Sequence, residues 1–376
     1  MDAEQTSVCL GVGVVYECSS LIGYPYCMPR TVMMKEPPRT MLARRNAVCR
    51  AAAIASAIAV VLTAVVGCSA DVGENKVMET STSNAFPVTV EHAHGEVTIE
   101  TAPSRVVALG SGDAQIASAL GMEIVGAVRN PSSLDGNWSG MILPSEVLTL
   151  DSTTPNIEAI AALDPDVILA TTAQAEYDKA YEVLSRIAPV ISYKTALLQD
   201  SGDELTELIG MALGRRGAAE SLVVQARGAI ADFRSSHPNL EGKSFAYGQY
   251  AGGTLYLLGQ ESNPSARFLS SLGMRGSSAV SAAATESTAA FVKFSPEGFG
   301  ILDTADVAMI STYGEGSTEE FLSLPTVTGL VSTGEHRLIV IDQELSSALL
   351  FPNPATTEFL LDRMSGVLAI EDRAGG

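Results

Sequence analysis

The chain is poor in the residues that most often carry chemistry. Its five cysteines, Cys9, Cys18, Cys27, Cys49 and Cys68, all precede Ser69. Beyond Cys68 there is no thiol, which excludes disulfides, thiolate metal centres and cysteine nucleophiles from that part. Only four histidines occur, His92, His94, His237 and His336, and no Gly-x-Ser-x-Gly elbow accompanies them. Basic residues are scarce as well: after Cys68, 17 Lys and Arg face 39 Asp and Glu, a net charge of −22. A surface of that sign repels nucleic acid and anionic lipid heads, so neither is an expected partner. Tryptophan occurs once, as Trp138.

One long apolar run is present. It spans Ala51 to Gly67 behind Arg44, Arg45 and Arg50, and Cys68 follows it. At about 16 apolar residues it is shorter than the roughly 20 that a membrane-spanning helix needs. A basic flank, an apolar stretch and small residues before a cysteine predict a secretory signal. Val65-Val66-Gly67-Cys68 resembles a bacterial lipobox, departing from it at the first two places. In lipoproteins of that pattern the cysteine is diacylated, and two acyl chains anchor stably where one is marginal. Residues 1–68 are therefore expected to be a leader. Everything beyond is expected outside the cytoplasm, anchored through Cys68 to the outer face of the cytoplasmic membrane. Residues 1–40 show neither a helical nor a strand period, and Met34 and Met41 would each make a better start.

Residues 69–90 read as a tether, polar as far as Asn84, with Val88-Thr-Val90 starting a short strand. From Arg105 a strand–helix rhythm sets in. Strands are expected at Val106–Leu109, Ile124–Val128, Val167–Ala170 and Val190–Tyr193, with helices between them, one around Tyr181 ending at Pro189. The alternation predicts α/β architecture with parallel, doubly wound sheets. Ala219, Leu222, Val223, Ala226, Ile230 and Phe233 form one helical stripe in a run stopped by His237-Pro238. A rod of about 30 Å there either crosses between two lobes or packs inside one domain. Strands at Phe245–Tyr247, Thr254–Leu258, Val307–Ile310 and Leu338–Ile341 begin a second α/β segment.

The halves echo each other. Pro155-Asn156-Ile157-Glu158 precedes Leu163-Asp164-Pro165-Asp166-Val167, and Ser295-Pro296-Glu297 precedes Leu302-Asp303-Thr304-Ala305-Asp306-Val307. Glu158 and Glu297 either complement helix dipoles or present one carboxylate per lobe on a shared outer surface.

Catalytic chemistry is hard to assemble. Gly110-Ser111-Gly112-Asp113-Ala114-Gln115 sits where a dinucleotide fingerprint would, but Gln115 replaces the third glycine and Arg129 stands where an acidic residue belongs. His92 and His94 share a face of any strand that contains them, without a further ligand cluster, so no metal centre is expected. In open parallel sheets the ligand sits beyond the carboxyl ends of the strands. That rule nominates Ser111, Asp113, Arg129, Thr172, Tyr193, Tyr250 and Tyr313, a mixture suited to a bulky polar ligand. Trp138, in a Gly-Asn-Trp-Ser-Gly loop, is either a ligand contact or a loop anchor.

From about Glu91 onward the chain resembles ABC-transporter substrate-binding proteins of the iron–siderophore and cobalamin class. The matching residues are Pro103-Ser-Arg105-Val-Val-Ala-Leu109, Gly112-Asp113-Ala114, Pro155-Asn-Ile-Glu158, Asp164-Pro-Asp166 and Ile187-Ala-Pro189. The resemblance implies two doubly wound α/β lobes, 91–215 and 239–376, joined by one long helix at 216–238 with the ligand between them. It implies that Glu158 and Glu297 dock onto arginines of a membrane permease. It also implies that Arg129 faces the ligand, while Ser111 stands where iron-binding members often carry a tryptophan. The function expected is capture of a ferric siderophore by a monomer and its delivery to an ABC permease, without catalysis or cofactor. Haem or cobalamin is the alternative within the class. A secreted metal-dependent or hydrolytic enzyme is the alternative outside it.

Overall fold

In a computed structural model, the structure describes residues 10–11, 14–21, 24–29 and 86–368, apart from 132, 134, 198, 285–290 and 315. The expected signal Ala51–Cys68, the acylated Cys68 and the tether up to residue 85 lie outside the described residues. Three strands, β1 (Leu10–Gly11), β2 (Val14–Leu21) and β3 (Tyr24–Pro29), form a small sheet. No strand period is evident there, yet Val14, Val15, Tyr16, Tyr24 and Tyr26 have side chains that favour extended backbone.

The described residues from Phe86 onward belong to one compact unit. A hairpin of β4 (Val88–His92) and β5 (Gly95–Ile99) opens it. The N-terminal lobe then holds β6 (Val106–Ala108), β7 (Ile124–Val128), β8 (Leu148–Leu150), β9 (Val167–Ala170) and β10 (Val190–Ser192). All pair in parallel, in the order β10-β9-β6-β7-β8. The strands are short apolar runs because helices cover both sheet faces. Val106, Ala108, Val167 and Leu169 pack on α1 (Ser111–Ala119) and α5 (Gly202–Ala212). Val107, Ile168 and Val190 turn the other way, towards Ile160 of α2 (Ile157–Ala162), Tyr177 of α3 (Ala175–Lys179) and Leu184 of α4 (Tyr181–Leu184). The helix expected around Tyr181 is these last two short helices. Each Val, Leu or Ile so buried contributes about 1.5–3 kcal/mol.

Helix α6 (Arg216–Ser236) is 21 residues long, a rod of about 30 Å. Its Ala219 belongs to the core of the first lobe and its Phe233 to that of the second. Of the two sequence alternatives for this rod, the crossing one is found.

The C-terminal lobe is a mixed sheet in the order β14-β12-β11-β15-β16, with β13 also paired to β11. Its strands are β11 (Ser244–Ala251), β12 (Thr254–Leu258), β13 (Arg275–Gly276), β14 (Phe291–Phe294), β15 (Val307–Thr312) and β16 (Leu338–Ile341). β15, β16 and β13 run parallel to their neighbours, whereas β12 and β14 are antiparallel. The reversal follows from Gly252 and Gly253, whose φ values of +54° and +77° close a two-residue hairpin that β-carbon residues would strain. Helices α7 (Pro264–Ser271) and α8 (Ser278–Ala284) precede β14. Helices α9 (Ser317–Ser323), α10 (Pro325–Thr328) and α11 (Val331–Gly334) precede β16. Helices α12 (Gln343–Leu350) and α13 (Thr357–Leu368) follow it.

The sequence echo has a structural counterpart. Asp166 accepts hydrogen bonds from the backbone N–H and hydroxyl of Ser104, both at 2.7 Å. Asp306 does the same with Ser244, again at 2.7 Å. In each lobe an aspartate at the entry of one strand thus clips the entry of its neighbour. These hydrogen bonds hold both carboxyl groups below the ordinary Asp range.

Candidate functional site

A cleft of about 1100 Å³ lies between the lobes, beyond the carboxyl ends of β7 in one and β16 in the other. Its N-lobe wall is the loop after β7, with Asn130, Asn137, Trp138, Met141 and Ile142. Its C-lobe wall is the start of α12, with Asp342, Gln343 and Glu344, backed by Phe359 of α13. The Trp138 indole N–H donates to the Val128 carbonyl at 2.7 Å, and the ring packs against the cluster of Val107, Ile160 and Ile168 on one face of the N-lobe sheet. Trp138 is therefore both a loop anchor and part of the cleft wall.

Behind the cleft the lobes are tied by a buried polar chain. Gln115 of α1 donates to the Ser139 carbonyl at 2.9 Å and accepts from the Asn353 side chain at 3.0 Å. The Ser139 hydroxyl donates to the Glu344 carbonyl at 2.6 Å.

Several residues nominated for the ligand have other duties. Asp113 is fully buried. Its carboxylate accepts from Thr171 N–H at 3.0 Å, Thr171 hydroxyl at 2.5 Å and Thr172 N–H at 3.4 Å, while Thr172 Oγ1 accepts from Asp113 N–H at 3.3 Å. Burial outweighs these bonds and raises its pKa to about 6. Asp113 and Thr172 clamp α1 to the loop after β9 instead of facing the cleft. A Cβ at Gly110 would collide with Thr172, and one at Gly112 would lie 2.9 Å from it. The two glycines of the stretch that sits where a dinucleotide fingerprint would therefore make room for Thr172. Ser111, in the same turn, is buried.

Tyr250 is likewise a core residue, only 1 % exposed, with its hydroxyl donating to Glu320 at 2.6 Å and its ring against Phe299 and Phe321. Its strand-end position does not bring it to the cleft, because an apolar cluster draws the ring inward. Tyr313 is half-buried and lines a small recess with Gln249, Phe291 and Ser346. Burial raises its pKa, partly offset by Ser346 and Ser311. Tyr193 is half-buried at the β10 edge. Arg129 is exposed, but its guanidinium lies against Gly136, with Nε 3.2 Å from where a Cβ there would sit.

His92 and His94 meet Tyr181 and Asp178. His94 Nε2 lies 2.7 Å from Asp178, its ring stacks on Tyr181 at 3.9 Å, and its backbone N–H donates to His92 Nδ1. Burial, then the neighbouring His94, lowers the His92 pKa. Among the described residues no group of three His, Cys, Asp or Glu side chains could hold a metal ion.

Glu158 and Glu297 are both exposed, in the first turns of α2 and of the 3₁₀ helix Pro296–Thr304. Asp135, Asn137, Asp342, Gln343 and Glu344 were not nominated from the sequence. The strand-end rule, extended to the edge strand β16, reaches the last three. The loop residues carry no periodic signal.

Residues 106–345 match the family described as Periplasmic binding protein. The "Fe(3+) dicitrate-binding periplasmic protein FecB" of Escherichia coli is 29% identical over 179 residues, 44% of this chain and 55% of that protein. The "Probable siderophore-binding lipoprotein YfiY" of Bacillus subtilis is 33% identical over 127 residues, 31% of this chain and 36% of that one. The chain thus spans about half or less of the length of these curated relatives. Streptococcus pneumoniae PiaA, solved in complex with ferrichrome, shares the fold at a TM-score of 0.62 and 22% identity, over 76% of this chain and 99% of that one. With more than half its length matched, this chain belongs to the periplasmic binding protein family, whose members bind solutes and are not enzymes.

Proposed function

We propose that the chain captures a ferric siderophore outside the cytoplasm and delivers it to an ABC permease. The observation that carries this reading is the cleft at the strand ends of two lobes, with Trp138 in its wall and a volume of about 1100 Å³. That is above the usual small-ligand range of about 300–1000 Å³, and it suits a bulky complex. A siderophore brings its own oxygen ligands to iron, so the protein needs no metal-ligating cluster. The names of the relatives, for ferric dicitrate and siderophores, and the ferrichrome complex of PiaA support the same ligand class. The expected anchor is a diacylated Cys68, in keeping with the lipoprotein name of YfiY.

Glu158 and Glu297 are assigned to permease docking, one carboxylate per lobe. Rim charges of this kind set orientation and association rate more than affinity. The test is uptake of radiolabelled ferric siderophore by cells that depend on this chain and its permease. Uptake should be lost in the Glu158→Ala/Glu297→Ala double variant, while the purified variant binds the complex as before. Undiminished uptake would remove the docking role, and lost binding would move the glutamates into the ligand site.

A further inference from the structure

The cleft wall is acidic. Asp135, Asp342 and Glu344 line it, and among the described lining residues there is no lysine or arginine. Asp135 accepts from the Ser133 hydroxyl at 2.5 Å and from the Asn137 backbone and side chain at 2.9 and 2.8 Å. These bonds bring its pKa down to about 2, so it is ionised at any physiological pH. Arg363 of α13 bridges Asp342 and Glu344, reaching the latter at 3.0 Å, and leaves the wall with net negative charge. Arg129, folded against Gly136 in the loop that carries Asp135, brings one further positive charge to this wall, which still sets three carboxylates against two guanidiniums. Beside the carboxylates lies an apolar strip of Trp138, Met141, Ile142 and Phe359, in which Ile142 is 83% exposed.

Resting on the siderophore reading, we propose that the cleft selects ferric complexes carrying no net negative charge and holds an apolar arm of the ligand against Trp138, Met141 and Ile142. Three hydroxamates, each with one negative charge, cancel the charge of ferric iron. Three catecholates leave a strongly anionic complex, and ferric citrate is anionic too. A polyanion brought to this wall would meet exposed, ionised carboxylates, a repulsion that salt screens. A neutral or cationic tris-hydroxamate avoids that repulsion, and its alkyl spacers match the exposed isoleucine.

The test is calorimetry of the whole chain with ferrioxamine B (cationic), ferrichrome (neutral), ferric enterobactin and ferric citrate (both anionic). The first two should bind about tenfold or more tightly than the last two, a gap that widens as salt is lowered. Glu344→Lys should narrow the gap. Asp135→Asn removes a charge from the opposite wall and should narrow it independently, should the first variant fail to fold. Tighter binding of ferric citrate or ferric enterobactin, or a preference that neither folded variant alters, would overturn the charge selection while leaving the siderophore reading in place. Silence toward all four complexes would instead overturn the siderophore reading, and the charge selection with it.

Discussion

At position 113 a carboxylate sits fully buried, held by Thr171 and Thr172. Its pKa of about 6 lies above the ordinary value of 3.8. The unfolded chain therefore releases this proton at lower pH than the folded one. This group's contribution to stability is full below pH about 4 and falls as pH rises towards 6, by at most about 1.4 kcal/mol per pH unit. Asp113→Asn should abolish that slope, as read by urea denaturation of variant and parent between pH 4 and 6. Identical slopes would show that Asp113 is ionised without cost. The same residue shows how far the sequence reaches at this scale. Position 113 was legible as a strand-end location, because strand order and helix starts follow from periodicity. Its depth was not, since burial depends on Thr172, which is distant in the chain, filling the space left by Gly110 and Gly112. Tyr250 misleads in the same way, drawn into a cluster with Phe299 and Phe321 that no local pattern announces.

Among the elements, α1, the loop after β7 and the segment after α12 meet at Gln115, Ser139 and Asn353, all nearly inaccessible to solvent. Gln115→Ala would leave the Ser139 carbonyl and one Asn353 N–H without their partners. An orphaned buried polar group costs about 1–3 kcal/mol. The variant should lower the urea midpoint with the m-value unchanged, and an unchanged midpoint would mean that water replaces the side chain freely. Gly202 reinforces this junction, because a Cβ there would collide with the Pro352 carbonyl and come within 3.0 Å of Asn353. Helix α6 was legible from its stripe of Ala219, Val223, Ala226 and Phe233. Its role as the crossing rod needed the two cores on which its ends rest. The antiparallel pair β11–β12 departs from the parallel sheet expected of this segment, since the strand–helix rhythm was followed and the two-residue turn at Gly252-Gly253 was not. Strand β14 was hidden because it is only four residues long.

Across the whole molecule, one strand of each lobe, β7 and β16, leads into the cleft, and the Ser104–Asp166 and Ser244–Asp306 clips repeat one device at the strand entries of the two sheets. Among the described residues no helix is long and apolar enough to cross a membrane. The proposed anchor is an acylated Cys68, and on that proposal Cys68→Ser should move the protein from the membrane fraction to the soluble one. Continued membrane retention would assign the anchor to another segment. Ligand capture is the central claim, and Trp138, the single tryptophan, stands in the cleft wall to report it. The most direct measurement is a tryptophan-fluorescence titration of the whole chain with ferric siderophores, against haem, cobalamin and zinc. Saturable change at micromolar or lower concentration with a ferric siderophore is the predicted result. A saturable response to haem, cobalamin or zinc alone would contradict it, leaving the two-lobed fold and replacing the ligand.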